Sequence, residues 1–269
     1  MSAILDVPVD AQRLAWLQGQ VSANRFLPAP PPELMLCGDG DFRAIGAEFL
    51  GYFARLAGLG PDERVLDVGC GVGRMAVPLT QYLTQRARYV GLDVAQSGIA
   101  WCARTITPAY PNFTFEHLDL HHPIYNPGGG LDAGRARLPV ADAQFDLVLL
   151  VSVLTHLDTA SVLAYAAEIA RVLAPGGRLF ATTFLMNPPA REALRRGEGR
   201  LAFDPDAAGP EYYADPAAPL AAIAFDEDHL VEKFLRFGLR RRGPVLYGHW
   251  SGRPSPVFQD INVFERDPG

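Results

Sequence analysis

Arg64-Val65-Leu66-Asp67-Val68-Gly69-Cys70-Gly71-Val72-Gly73-Arg74 reads as an apolar strand that ends in an acid and breaks into three glycines at alternate positions. Glycine removes the Cβ atoms that would hold a ligand away from the backbone, and it permits a tight turn into the following helix. The stretch therefore predicts a ligand cradle at a strand-to-helix junction. A dinucleotide fingerprint needs G-x-G-x-x-G. Counted from Gly69, its third glycine would fall at position 74, which is Arg74. The spacing G-x-G-x-G, with an acid two residues ahead, disfavours a dehydrogenase.

Outward from this loop the pattern alternates between strand and helix. Residues 74–85 read as a helix, with Pro78 tolerated near its first turn. Tyr89 to Asp93 is a second strand ending in an acid, and a helix follows over Ser97 to Ile106. Phe113 to Leu120 is a third strand. Phe145 to Ser152 is an apolar strand suited to burial on both faces. A helix spans Thr159 to Leu173, Pro175-Gly176-Gly177 stops it, and Arg178 to Phe184 is a fifth strand. This order predicts an α/β fold with a doubly wound, mostly parallel sheet. Ahead of it, residues 10–23 carry Leu14, Leu17 and Val21 at helical spacing. A proline-rich connector follows, then a helix opened by Gly38-Asp39-Gly40-Asp41-Phe42 and capped by Asp39 or Asp41. From Leu185 to Phe225 the rhythm fails. So long an irregular stretch reads as a functional insertion with some helix of its own. The rhythm resumes with a helix over Asp226 to Phe237, a strand near Arg240 to Tyr247 and a last strand over Val257 to Phe264.

The 269 residues are 49% apolar and 20% charged, enough for an ordinary soluble core. Lys and Arg total 24 against 30 for Asp and Glu, and the net charge of −6 argues against a nucleic-acid partner. Cys37, Cys70 and Cys102 are far apart and form no C-x-x-C pair, so neither a disulfide framework nor a zinc knuckle is indicated. Residues 1–20 lack the order of a signal peptide, and the apolar run around Leu147 to Leu154 is too short to span a bilayer. The expectation is a cytoplasmic protein with no membrane partner; homodimerisation is left open.

The loop Asp67 to Arg74, the acid in Gly91-Leu92-Asp93, the strand Phe145-Asp146-Leu147-Val148 and Arg171-Val172-Leu173-Ala174-Pro175-Gly176-Gly177-Arg178 together resemble the class I S-adenosylmethionine-dependent methyltransferases, small-molecule type. The resemblance covers roughly residues 60–184 by motif and the C-terminal elements by order. It implies a seven-stranded Rossmann-like sheet with an antiparallel last strand. With the order of elements, the expected division is residues 1–37 as a helical extension and proline-rich connector, 38–184 as the donor-binding core, 185–225 as a substrate cap, and 226–269 as the end of the core sheet.

By that resemblance S-adenosylmethionine is the cofactor. Gly69, Cys70, Gly71, Gly73 and Arg74 cradle its amino-acid end, and Asp67 sits near its ammonium; a turn cap is the other reading of Asp67. Asp93 accepts from the ribose diol, as a carboxylate at a strand end can, and Val94 packs on adenine. Asp119 accepts from the adenine amino group with help from the Leu120 backbone. Ser152 and Val153 face the methionine portion. Phe42 closes over the donor or serves only as the start of a helix. His156 is the candidate general base, since neutral imidazole takes a proton near pH 7; a structural histidine is the alternative. Tyr212, Tyr213, His249 and Trp250 lie in aromatic, mobile-looking segments and are candidate contacts for a small-molecule substrate, or ordinary packed loops.

No metal is expected. His117, Asp119, His121 and His122 are near in sequence, but residues four apart on one strand face stand about 13 Å apart, too far for one ion. The insertion from His121 to Arg137 leaves the acceptor pocket open, and the absence of N-P-P-Y after the fourth strand speaks against a nucleic-acid or glutamine substrate; the expected acceptor is oxygen first, nitrogen second, on a natural product or sugar-containing metabolite. A macromolecular acceptor and a non-catalytic donor-binding protein are the alternatives.

Overall fold

β1 (Arg64–Val68) starts the sheet, and four of its five residues are buried. It pairs in parallel with β2 (Arg88–Asp93) on one side and β4 (Phe145–Leu150) on the other, with Asp67 opposite Gly91 and Leu149. This is a computed structural model describing residues 10–35, 40–132, 134 and 137–268. Seven strands follow the order β3-β2-β1-β4-β5-β10-β9, with β3 at Phe113–His117, β5 at Leu173–Thr183, β9 at Leu239–Arg241 and β10 at Asp260–Arg266. β10 runs antiparallel to both β5 and β9, as expected of the last strand. The near-continuous burial of β4 (Asp146 aside) is what a parallel sheet covered on both faces requires.

The chain divides into two compact units, Met1–Gly130 with Gln144–Leu149, and Leu131–Ala143 with Leu150–Gly269. In the first unit, α1 (Ala11–Ala23) is capped by Asp10, and α2 (Phe42–Leu56) by Asp41, whose side chain accepts from Ala44 N. Asp39, Gly38 and Cys37 lie outside the described residues. α3 (Ala76–Tyr82) is shorter than residues 74–85, because the glycine turns run on to Met75 before the helix starts. α4 (Gln96–Thr105) follows β2. Arg64 grips Asp146 with its backbone N–H at 2.9 Å, Nε at 2.9 Å and Nη2 at 2.5 Å, which ties β1 to β4 and explains the acid in the β4 sequence.

In the second unit, α5 (Thr159–Val172) is capped by Asp158. The helix stops one residue early, and β5 starts at Leu173 rather than at Arg178. Pro175-Gly176-Gly177 thus belongs to the strand's first residues, with Gly176 at φ +73°. The stretch Leu185 to Phe225 is folded: β6 (Leu185–Met186), α6 (Pro188–Arg195), β7 (Glu211–Tyr213) and β8 (Ile223–Asp226) give a small sheet in the order β6-β8-β7. α7 (Glu227–Leu235) is capped by Asp226. The strand expected over Arg240 to Tyr247 is only Leu239–Arg241. Beyond it, Leu246 makes an isolated bridge to Ile261. β10 likewise starts at Asp260, not Val257.

Candidate functional site

In the first unit the three alternate glycines all adopt positive φ: Gly69 at +84°, Gly71 at +53° and Gly73 at +74°. Such backbone is strained for any residue with a Cβ. Gly69 N and Cys70 N both donate to the Leu92 carbonyl, at 2.7 and 3.1 Å, which pins the loop to the end of β2. A Cβ on Gly71 would meet nothing within 4 Å, so this backbone faces open space. A Cβ on Gly98 would lie 2.8 Å from the Gly71 carbonyl, and one on Gly46 only 2.7 Å from the Arg74 carbonyl. Two glycines outside the motif therefore let α4 and α2 approach it.

Asp67 is 1% exposed. Its Oδ2 accepts from the Tyr89 hydroxyl at 2.5 Å, while Oδ1 is buried with no hydrogen-bond partner. Burial pushes its carboxyl up to about 7, against the hydrogen bond from Tyr89 and with the charge of Asp93 adding to the rise. Tyr89 was not visible as a site residue. It lies two residues before Asp67's register partner Gly91, on the same face, and its ring stacks on Phe113 at 4.8 Å.

Asp93 Oδ2 accepts from Gly71 N and Oδ1 from Ala95 N, each at 2.7 Å. It thus braces the glycine turn and opens α4, while burial raises its carboxyl pKa. Val94 is half-buried and its carbonyl accepts from His117 Nε2 at 3.0 Å. Cys70 and Cys102 are buried free thiols, both pushed up by burial. Phe42 is 7% exposed as the first residue of α2.

Asp119 departs from expectation. β3 ends at His117, so Asp119 lies on an exposed loop, where Oδ1 accepts from Gly130 N at 3.2 Å. It anchors the insertion that follows instead of ending a strand. Leu120 is buried, and its carbonyl accepts from Asn126 Nδ2 at 3.0 Å. His122 Nδ1 accepts from the backbone of Ile124 and Tyr125.

In the second unit Ser152 sits beyond β4 with φ +58°, an unusual value for serine. Its N–H donates to Thr182 Oγ1 at 2.7 Å and its hydroxyl donates to Gln259 Oε1 at 3.0 Å. Val153 precedes the 3-10 turn Leu154–His156. His156 Nδ1 lies 3.0 Å from the Leu220 carbonyl. A carbonyl only accepts, so Nδ1 is the donor in this contact. Burial holds the imidazole pKa below its usual range, against backbone hydrogen bonds that raise it.

Two of the four aromatic candidates are core residues. Trp250 is fully buried and Tyr212 is 2% exposed. Both pack with Phe184, Met186, Phe203 and Ala224 in one core, where Trp250 Nε1 donates to Asp260 at 2.8 Å. This packing leaves neither of them a face for a substrate, because an indole and a phenol supply the bulk that the small sheet needs. Tyr213 and His249 are half-buried, with polar atoms bonded to Glu211 and to the Ser255 carbonyl. Asp260 is the unexpected centre of this unit. It also accepts from Leu185 N at 2.6 Å and Gly248 N at 2.7 Å.

Among the described residues no helix is long and apolar enough to cross a membrane. Residues 65–177 match the family model described as a methyltransferase domain. An O-methyltransferase of Aspergillus sclerotiorum, resE, is 29% identical over 151 residues, 55% of this chain and 51% of that protein. The chain spans about half, or less, of the length of the curated relatives it matches first.

Among solved structures, a 1,6-didemethyltoxoflavin-N1-methyltransferase of Burkholderia thailandensis, with bound S-adenosylhomocysteine, superposes with a TM-score of 0.52. It is 17% identical, with 98% of this chain and 94% of that one covered. The [4+2]-cyclase SpnF superposes at 0.55 with 18% identity over 86% of each chain, so the fold alone does not fix the reaction. Residues 65–177 thus resemble a methyltransferase domain, and the likeness to solved structures agrees with that fold.

Proposed function

We propose that the protein is an S-adenosylmethionine-dependent methyltransferase acting on a small molecule, at oxygen first and nitrogen second. The observation that carries this reading is the buried, unpartnered Oδ1 of Asp67 beside three left-handed glycines. A carboxyl buried at the end of a parallel strand is costly to ionise unless a cation completes it. The residues fit the donor: Asp67 for its ammonium, the open backbone at Gly71 for its amino-acid end, Asp93 for its ribose and Val94 for its adenine. When bound, S-adenosylmethionine supplies an electrophilic methyl group on a sulfonium. Asp93 orients the cradle through its two backbone bonds. His156 remains the candidate general base for a hydroxyl acceptor. A nucleophile that is already unprotonated needs only positioning.

The acceptor-oxygen preference draws on the O-methyltransferases among the relatives. In the second unit, Leu185 to Phe225 is the acceptor-side segment, and Tyr213 and His249 remain its candidate contacts. Two buried free thiols suit a reducing, cytoplasmic setting. Calorimetric titration should show S-adenosylmethionine binding and NAD not binding. With candidate phenols and hydroxylated metabolites, product mass should rise by one methylene. Absence of donor binding overturns the reading.

A further inference from the structure

The second unit contains a cavity of about 450 Å³, within the size range of metabolite pockets. It is bounded by Asn187, Arg191, Asp226, Glu227, Tyr247 and Arg253 among others. Most of its charges are matched inside the protein. Arg191 donates to the Pro205 carbonyl at 2.7 Å and to the Tyr212 hydroxyl, lies 3.5 Å from Asp226, and stacks over Tyr212 at 4.8 Å. Glu227 receives Asn187 Nδ2 at 2.7 Å, Arg241 at 2.6 Å and the Tyr247 hydroxyl at 3.0 Å. Asp228 is exposed in the first turn of α7, where solvent and the helix N-terminus both stabilise a negative charge.

Arg253 is different. Its guanidinium lies 4.4 Å over the Tyr247 ring, and one Nη2 donates to Asn187 Oδ1. Among the described residues no carboxylate lies within ion-pair distance of it, and its other N–H groups make no hydrogen bond. Both of its supports are themselves held by Glu227: Asn187 through its amide, Tyr247 through its hydroxyl. A half-buried guanidinium with its plane fixed and donors left over is built to receive a planar or tetrahedral anion.

We propose that this cavity binds a small molecule bearing a carboxylate or phosphate, with Arg253 as the anion-recognising residue. Glu227, Asn187 and Tyr247 position the fork in advance, so little side-chain freedom is lost on binding. The site lies within the second unit and requires no methyl donor, so it stands or falls apart from the function proposed above.

The test is phenylglyoxal labelling of the whole chain without donor, read by peptide mass spectrometry, with Arg191 and Arg241 as internal references. Arg253 should label faster than both references. 4-Hydroxybenzoate should protect it while the matched amide, 4-hydroxybenzamide, does not; phenyl phosphate beside 4-hydroxybenzoate tells a phosphate preference from a carboxylate one. Arg253→Gln, checked for native near-ultraviolet dichroism, should weaken the preferred probe by about tenfold or more in calorimetry, as loss of a charged hydrogen-bond donor predicts. Arg253 labelling no faster than the references, equal protection by acid and amide, protection by neither anion, or unchanged affinity in Arg253→Gln each overturns the proposal.

Discussion

Replacing Asp67 with Asn separates the cost of the buried acid from its use. The native state lifts this carboxyl from 3.8 to about 7, chiefly by burial. At 1.36 kcal/mol per pH unit, the full penalty for carrying the charge above pH 7 is about 4 kcal/mol. The native state keeps its proton where the unfolded chain has lost it. It therefore binds more protons between about pH 4 and 7, and stability falls as pH rises through that window. The amide introduced by Asp67→Asn would keep an oxygen for the Tyr89 hydroxyl and carry no charge, so the variant lacks this slope. Asp260, also lifted to about 7, is present in both proteins and cancels from the comparison. The stability of Asp67→Asn relative to wild type should rise by about 2–3 kcal/mol from pH 5 to pH 8, measured by urea unfolding at each pH. The same substitution should weaken S-adenosylmethionine by about tenfold, because the ammonium loses its counter-charge. A stability difference that stays flat across that pH range refutes the argument.

Gly73→Ala should destabilise by about 1–3 kcal/mol in the same unfolding assay, since its φ is +74° and the new Cβ would stand 3.0 Å from Ile106 Cδ1 and 3.1 Å from Cys102 Sγ. Trp250→Ala should cost about 3–5 kcal/mol, through the cavity left in a fully buried core and the donor removed from Asp260. His156→Ala should leave donor affinity unchanged and lower turnover on a hydroxyl acceptor by about 100-fold, read from initial rates; unchanged turnover removes His156 from the chemistry.

The first unit was legible because its signals are local. Asp67, the alternate glycines and Asp93 sit within one strand-loop-helix-strand stretch, and each has a backbone requirement that few other residues meet. Tyr89 was hidden because its partner is reached across a strand pair, two places off register. The bracing of Ser152 was hidden for a stronger version of the same reason: Gln259 lies 107 residues away. Asp119 was misplaced because an alternating pattern ran past the point where β3 stops pairing. In the second unit, strands of two and three residues are too short to show a period. Glycine and aromatic residues around Trp250 read as a loose loop, whereas the indole is the centre of a core.

The place of β10 in the sheet has a consequence for synthesis. Asp260 pairs with Thr183, which precedes it by 77 residues. At ribosomal rates of roughly 5–20 residues per second, the edge of β5 that β10 later covers stays bare for about 4–15 s. Its last seven residues, Arg178 aside all apolar or threonine, are an aggregation template for that interval. Pairing with β10 closes that edge only once residues 260–266 have emerged.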